Sequence, residues 1–353
     1  MRILIAAGGT GGHLFPAIRL AEELESRGVS EILFITSRRG QDRATLERKG
    51  MRFCVSPVIP LKSRNVFHAL DFIFRLFAGT VQSLFVLLSF RPQVAVGFGG
   101  YISGPALLSA HFLRIKTVIH EQNVYPGKAN RMLARFVDRI AVSFDDTVEY
   151  LKRYKAKIVI SGNPLRKDIE GHLIKKDNFT ILIMGGSQGA HALNRLAPEA
   201  INSMDIVLKS GIEVIHISGY NERDEVKEFY DGKGIKNTVI SFTEEMSAIY
   251  NKCDFVVSRA GAMTVSELLF LKKPSILVPY PYAGGHQRLN AKVMESAGLA
   301  VLLEEKGLTS EILRDAIEGF MDKDKLVAMA RGADRFKQRD ACEILIKETI
   351  VGQ

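Results

Sequence analysis

Residues Ile3 to Ala17 read ILIAAGGTGGHLFPA, an apolar run that stops in glycines, a threonine, a histidine and a proline. Half a chain later, Thr180 to Leu196 read TILIMGGSQGAHALNRL and repeat the logic: a strand, glycines around a Thr or Ser, then a histidine opening a helix. The first helix is legible in its spacing. Leu14, Ala17, Ile18, Ala21 and Leu24 fall at i, i+3, i+4, i+7 and i+10, one buried face. A strand running through a glycine turn into an amphipathic helix is the opening unit of a doubly wound α/β sheet, and this chain carries two.

Neither turn is a familiar nucleotide motif. A P-loop needs a lysine after its last glycine, and neither stretch supplies one. A dinucleotide fingerprint needs a third glycine where Leu14 stands. The second strand, EILFITSRRG, also ends in Arg38 and Arg39 where an acid would hold an adenine ribose. What remains is general: glycines let backbone approach a ligand closely, and the N–H groups of a helix start favour negative charge. The same turn can also be purely structural.

Apolar strands alternate with helical periodicity along both halves. In the first, strands are expected near Ile3–Ala7, Ile32–Thr36, Phe53–Val58, Val94–Gly97, Thr117–His120, Ile140–Ser143 and Lys157–Ser161. The second half, opening at Thr180, continues near Val214–Ser218, Thr238–Phe242, Phe255–Ser258, Ser275–Pro279 and Leu299–Leu303. This alternation predicts two parallel sheets with helices on both faces. The polar stretch Ser161 to Asn178 is the linker candidate. The expected domains are residues 1–163, completed by a C-terminal helix over 338–353, and residues 164–337. Ligands of such sheets bind outside the carboxyl ends of the strands, so the functional cleft is expected between the lobes.

Composition narrows the partners. Lys and Arg outnumber Asp and Glu by 48 to 39, a formal charge of +9 that favours anionic partners such as nucleotides or an acidic membrane surface. No recognition-helix or basic-aromatic signature supports nucleic acid. The three cysteines, Cys54, Cys253 and Cys342, are scattered, as in a reduced cytoplasmic protein without structural zinc. The N-terminal run is too short for a signal peptide. Val66 to Phe90, VFHALDFIFRLFAGTVQSLFVLLSF, needs separate weighing. Asp71 and Arg75 interrupt it, leaving 15 uncharged residues from Leu76 to Phe90, against the ~20 that a span needs. Six phenylalanines flanked or punctuated by Lys62, Arg64, His68, Arg75 and Arg91 suit a helix lying on an anionic membrane surface. A buried helix is the alternative.

The candidate chemistry sits at strand ends. His13 opens a helix whose positive end disfavours imidazolium, which suits a general base; it could equally cap or pack. Glu121 is a second base candidate or an orienting carboxylate, and His120 could be a core residue. No D-x-D motif at a strand end could hold a divalent metal. Asp145 and Asp146 are expected to open a helix with their carboxylates on its exposed N–H groups. Arg166 can contact phosphate through two donors or be a solvated linker charge, and Ser187 can donate to phosphate or cap a helix. Thr264 to Glu267 fits a T-x-x-E capping box.

Seven stretches fall in register at strand ends: GGTGGHLFPA (Gly8–Ala17), GFGGYISGP (Gly97–Pro105), HEQNVYPGKANR (His120–Arg131), GNPLR (Gly162–Arg166), GGSQGA (Gly185–Ala190), SRAGAMTVSE (Ser258–Glu267) and PYPYAGGHQRLNA (Pro279–Ala291). In order and spacing, over essentially the whole chain, they resemble the MurG family of peptidoglycan N-acetylglucosaminyltransferases (glycosyltransferase family 28). The resemblance implies a GT-B fold, two Rossmann-like doubly wound parallel-sheet domains facing across a cleft. It implies an inverting, metal-independent hexosyltransferase with no cofactor. GlcNAc would pass from UDP-GlcNAc to the 4-hydroxyl of MurNAc in undecaprenyl-pyrophosphoryl-MurNAc-pentapeptide (lipid I), giving lipid II. The protein would sit peripherally on the cytoplasmic face of the membrane, with other wall-synthesis proteins as further partners.

By the same resemblance, Thr10, Gly11, Gly12 and Asn123 contact the donor from the first lobe, and Arg166 and Ser187 meet its diphosphate. Ala262, Met263, Thr264, Val265 and Ser266 wrap it with backbone, Glu267 holds the ribose diol, and Gln287 binds sugar hydroxyls. Two positions depart from the pattern: Thr243 stands where a backbone contact to uracil comes from a residue that is often Ile, and His286 stands where some members carry a second glutamine. Two competing readings share these features, a UDP-GlcNAc 2-epimerase and a non-enzymatic nucleotide-binding membrane scaffold.

Overall fold

The computed structural model describes residues 1–29, 31–60, 66–169, 179–185, 189–282, 284–333 and 339–351. The chain divides into two compact units, Met1–Lys167 with Arg339–Gln353, and Asp168–Gln338.

The first unit holds β1 (Arg2–Ala6), β2 (Glu31–Thr36), β3 (Phe53–Val55), β4 (Val94–Gly97), β5 (Lys116–Glu121), β6 (Arg139–Val142) and β7 (Ile158–Ile160). They form one sheet in the order β3-β2-β1-β4-β5-β6-β7, every pair parallel. β1 and β4 are buried almost throughout, as strands covered on both faces must be. One layer joins Ile3, Ile5, Leu14, Ile18, Leu24, Val96 and Val118, and the opposite layer joins Leu4, Ala6, Ala95, Ile102, Leu107 and Ile119. Each such large side chain taken out of water contributes about 1.5–3 kcal/mol. Leu345, Ile346 and Ile350 of the returning C-terminal segment complete the first layer. Arg339 accompanies this return and pairs with Asp145 at 2.9 and 3.0 Å. That corrects one expectation. Asp145 is an ion-pair partner, and Asp146, although it precedes the short helix Thr147–Tyr150, makes no side-chain cap bond.

The second unit holds β8 (Phe179–Met184), β9 (Ile212–Ile217), β10 (Asn237–Ile240), β11 (Phe255–Ser258), β12 (Ser275–Leu277) and β13 (Ala300–Leu302), ordered β10-β9-β8-β11-β12-β13 and again parallel. In each sheet the strand order reverses once, between β1 and β4 and between β8 and β11. The connections leave to opposite faces there and open a crevice at the strand ends. Both glycine turns leave the sheet at such a point.

The helix Val66–Phe90 lies on the first unit's surface. Gly79, Ser83 and Leu87, four residues apart, form its buried face. A Cβ at Gly79 would come within 2.2 Å of Val58, and the Gln82 amide donates to the Val55 carbonyl at 2.9 Å. The opposite face carries Phe67, Leu70, Phe74, Phe77, Phe85 and Leu88, all exposed, and Arg75 pairs with Asp71 at 2.8 Å. By length and composition Phe67–Phe90 is long and apolar enough to cross a membrane. Its bonds to the sheet instead hold it along the domain, and the buried-helix alternative does not hold. Lys62 and Arg64 lie outside the described residues.

Candidate active site

At the first switch point, the turn after β1 is tied down by the segment after β2, chiefly the start of the helix Gly40–Arg48. The buried Asp42 carboxylate accepts from the Gly9 N–H at 2.6 Å and from the Ser37 hydroxyl at 2.5 Å. The Arg39 guanidinium donates to the Gly9 carbonyl. An arginine that looked misplaced for a nucleotide thus acts on the turn itself. Gly8 (φ +145°) and Gly9 (φ +87°) hold conformations that disfavour a side chain, and a Cβ on Gly8 would meet Thr36 Oγ1 at 2.8 Å. The Gly9 N–H is spent on a protein carboxylate.

The helix Gly11–Ser26 then starts at Thr10, whose backbone is extended and whose hydroxyl makes no cap bond. Gly11, Gly12 and His13 form its first turn. Pro16 has no N–H to give the Gly12 carbonyl four residues earlier. The His13 ring lies on the turn after β4. A Cβ at Gly99 (φ +87°) or Gly100 (φ +71°) would come within 3.4 Å of it, which explains the glycine pair in GFGGY. His13 Nδ1 meets Gln122 Oε1 at 3.0 Å. The Gln122 amide nitrogen lies 3.1 Å from the Phe98 carbonyl, 3.1 Å from the His120 carbonyl and 3.0 Å from His120 Nδ1. His120 Nε2 meets the Gly162 carbonyl at 2.9 Å, and burial pushes this imidazole down to about 4.

Glu121, also buried, is fully engaged by its own loop. One carboxylate oxygen accepts from the Asn123 N–H at 2.9 Å and the Asn123 amide at 3.2 Å; the other accepts from Gly127 N–H and Asn130 Nδ2, both at 2.9 Å. Arg166 places its guanidinium 5.0 Å from the Phe15 ring, on the His13 helix. The first unit therefore brings Thr10, Gly11, Gly12, His13, Glu121, Asn123 and Arg166 to one region. Gln122, Asn130 and Asp42 join them without having been singled out in the sequence. Gln122 sat unread inside HEQN, between two residues that were.

In the second unit, the loop after β11 is clamped from the helix His286–Ser296. Gln287 Oε1 accepts from Ala260 N–H at 3.2 Å and Tyr280 N–H at 2.9 Å, and Asn290 donates to the Ala260 carbonyl at 3.2 Å. The helix Ala262–Phe270 starts at Gly261 with no side-chain cap bond. This overturns the capping box. Thr264 is already inside the helix, Glu267 is a turn further on, and the buried Glu267 carboxylate accepts from the Tyr250 hydroxyl at 2.8 Å. Thr243 accepts from the Glu245 N–H at 3.0 Å and so shapes the turn into the helix Met246–Lys252 that carries Tyr250. Ala262, Met263, Thr264, Val265, Ser266 and Glu267 thus share one helix, whose approach Gln287 clamps from the neighbouring helix. Ser187 lies outside the described residues.

Residues 3–142 match the glycosyltransferase family 28 N-terminal domain and residues 180–345 the family 28 C-terminal domain. The chain belongs to glycosyltransferase family 28. A family 28 relative from Syntrophus aciditrophicus, the UDP-N-acetylglucosamine--N-acetylmuramyl-(pentapeptide) pyrophosphoryl-undecaprenol N-acetylglucosamine transferase, is 39% identical over 93% of this chain and 91% of its own. The solved MurG of Acinetobacter baumannii superposes with a TM-score of 0.78 at 26% identity, covering 99% of each chain. The two sheets are thus those of a GT-B glycosyltransferase. A solved UDP-N-acetylglucosamine 2-epimerase, at 14% identity and a TM-score of 0.68 over 99% of this chain and 95% of its own, shares the fold alone. The whole-chain identity lies with the family 28 transferase, so the epimerase reading is not favoured.

Proposed function

We propose that this enzyme transfers GlcNAc from UDP-GlcNAc, with inversion, to the 4-hydroxyl of MurNAc in undecaprenyl-pyrophosphoryl-MurNAc-pentapeptide, forming lipid II for peptidoglycan synthesis. The reading rests on the whole-chain identity to a transferase named for that reaction. The structural observation that carries it is His13, held by Gln122 on an uncapped helix start above two glycines. In this reaction His13 takes the proton of the 4-hydroxyl as that oxygen bonds the sugar C1 and UDP leaves with the electron pair of the broken bond. Glu121, with four donors on its oxygens, anchors the loop that presents Gln122 and Asn123.

The departing diphosphate is met by protein charge and dipoles. The uncapped N–H groups of the helix Ala262–Phe270 favour an anion. Arg166 and Ser187 add donors to the diphosphate, and Thr10, Gly11, Gly12 and Asn123 also contact the sugar nucleotide. Glu267, with one oxygen fixed by Tyr250, holds the ribose diol, and Thr243 lies beside the base. Gln287 has its carbonyl oxygen committed to two backbone N–H groups, so its amide N–H groups serve the sugar. A transfer assay with UDP-GlcNAc and a lipid I analogue, with and without EDTA, tests this. Chelator-insensitive lipid II formation that His13→Ala abolishes is expected; normal turnover in His13→Ala removes the base.

The same reading seats the exposed face of Val66–Phe90 on the anionic cytoplasmic leaflet, the surface a lipid-linked acceptor demands. Phe67 is 79%, Phe74 71% and Phe77 68% exposed, and burying such rings in the interface drives binding. Sedimentation with phosphatidylglycerol vesicles checks it: Phe74→Glu with Phe77→Glu should leave the protein in the supernatant with its solution UDP affinity intact.

A further inference from the structure

The two histidines around Gln122 are joined by one amide whose orientation its neighbours dictate. Two backbone carbonyls, Phe98 and His120, both 3.1 Å away, face the same end of the side chain. Only the –NH2 end can serve two carbonyl oxygens, because an oxygen there would oppose both in a buried site. The amide oxygen is therefore fixed toward His13. An oxygen at 3.0 Å from His13 Nδ1 accepts and cannot donate, so Nδ1 carries the hydrogen.

The other side of the amide obeys the same logic. The Gly162 carbonyl, 2.9 Å from His120 Nε2, requires a hydrogen on that nitrogen, and burial keeps the ring neutral. His120 Nδ1 then bears a lone pair 3.0 Å from the Gln122 –NH2, whose two hydrogens are shared among this nitrogen and the two carbonyls. The chain Gly162 carbonyl, His120, Gln122, His13 has one consistent assignment of hydrogens. It begins at a backbone carbonyl that cannot change role.

We propose that Gln122 is a positioning residue that locks His13 in its Nδ1–H tautomer and leaves Nε2 as the atom that accepts the substrate proton. His120 locks Gln122 in turn. The inference rests on the reading of His13 as the base. Histidine bases are commonly oriented by a third group, and the group here is neutral. A neutral amide fixes the tautomer without adding a negative charge that would hold the proton on the ring after transfer. The proton can then leave Nε2 to water once product forms.

The test is spectroscopic as well as kinetic. Long-range proton–nitrogen correlation of ring-15N-labelled enzyme distinguishes the tautomers directly, and the spectrum of His13→Ala assigns the His13 signals among the 8 histidines. In the wild-type enzyme at neutral pH, His13 should show a bare Nε2 and a protonated Nδ1, and His120 the opposite pattern. A protonated Nε2 on neutral His13 would overturn the proposal without any variant having to fold. Gln122→Met should blur the His13 signals toward a tautomer mixture and lower kcat about 10²-fold, the scale of a general-base contribution, with KM for UDP-GlcNAc little changed. An unchanged kcat would overturn it. Should His13→Ala retain turnover while the wild-type spectrum shows Nδ1–H, the base assignment fails and the hydrogen-bond chain stands.

Discussion

Removing the Asp42 carboxylate asks whether the first glycine turn is held by protein or kept open for an anion. Asp42 is 3% exposed and its Oδ2 accepts from Gly9 N–H and the Ser37 hydroxyl. Asp42→Ala removes the acceptor of the half-buried Gly9 N–H and of the buried Ser37 hydroxyl, at about 1–3 kcal/mol each unless the hydroxyl rotates. A total of about 3 kcal/mol, at about 2–4 °C per kcal/mol for a unit of this size, lowers its melting temperature by about 6–12 °C. Asp42→Asn can keep an oxygen in the same place and loses only the charge assistance, roughly 1 kcal/mol, so its shift should be about a third as large. Scanning calorimetry measures both. The turn also starts the His13 helix, so kcat of the alanine variant should fall at least about tenfold, because small misplacements of a reacting group are costly. An alanine variant that melts within about 1 °C of wild type and turns over normally would refute the clamp.

Three further outcomes are expected. Tyr250→Phe leaves the buried Glu267 oxygen without the donor now 2.8 Å away; a loss of about 1.4 kcal/mol raises KM for UDP-GlcNAc about tenfold, readable in initial rates. Gly100→Ala forces a side chain into φ +71° and within 3.4 Å of the His13 ring, so kcat should drop about 10²-fold while UDP affinity, measured calorimetrically, is retained. The buried His120 titrates near 4 in the fold and near 6.5 unfolded. Below the unfolded value the unfolded chain binds the extra proton, so the first unit should lose stability as pH falls from about 6.5 to about 4, by about 3 kcal/mol, in denaturant titrations. His216, pushed down to about 3 by burial, gives the second unit the same sign over a window extending lower.

The sheets were legible because parallel strands buried on both faces are continuous apolar runs, and Leu4 or Val96 announces itself without tertiary knowledge. The glycine turns at the ends of β1 and β8 were legible as well, while the strand order that makes those ends switch points was not. Local hydrogen-bond competition was less visible. The T-x-x-E signature at Thr264 lost to a helix that begins at Gly261, and Asp145 turned to Arg339, which is distant in sequence and near only after the C-terminal segment returns. The bond between His13 and Gln122 spans 109 residues, and a motif reading confined to its own window cannot see it.

Two clamped loops, one in each unit, show the same reach across the sequence. In the first unit Asp42 of the helix Gly40–Arg48 that follows β2, and that helix's N-cap Arg39, take the donor and acceptor of Gly9. The turn is thereby fixed ahead of the uncapped helix start that carries His13. In the second unit the loop after β11, the counterpart of β4, is held by Gln287 and Asn290 on Ala260, one residue before the cap. The N–H groups of Ala262, Met263 and Thr264 keep no side-chain cap and remain suited to a diphosphate. Pinning the first turn at Gly9 fixes the start of the helix that carries His13, and pinning the loop after β11 at Ala260 fixes the start of the helix that carries Glu267, in each case by a side chain distant in sequence that no reading of the local motif contains.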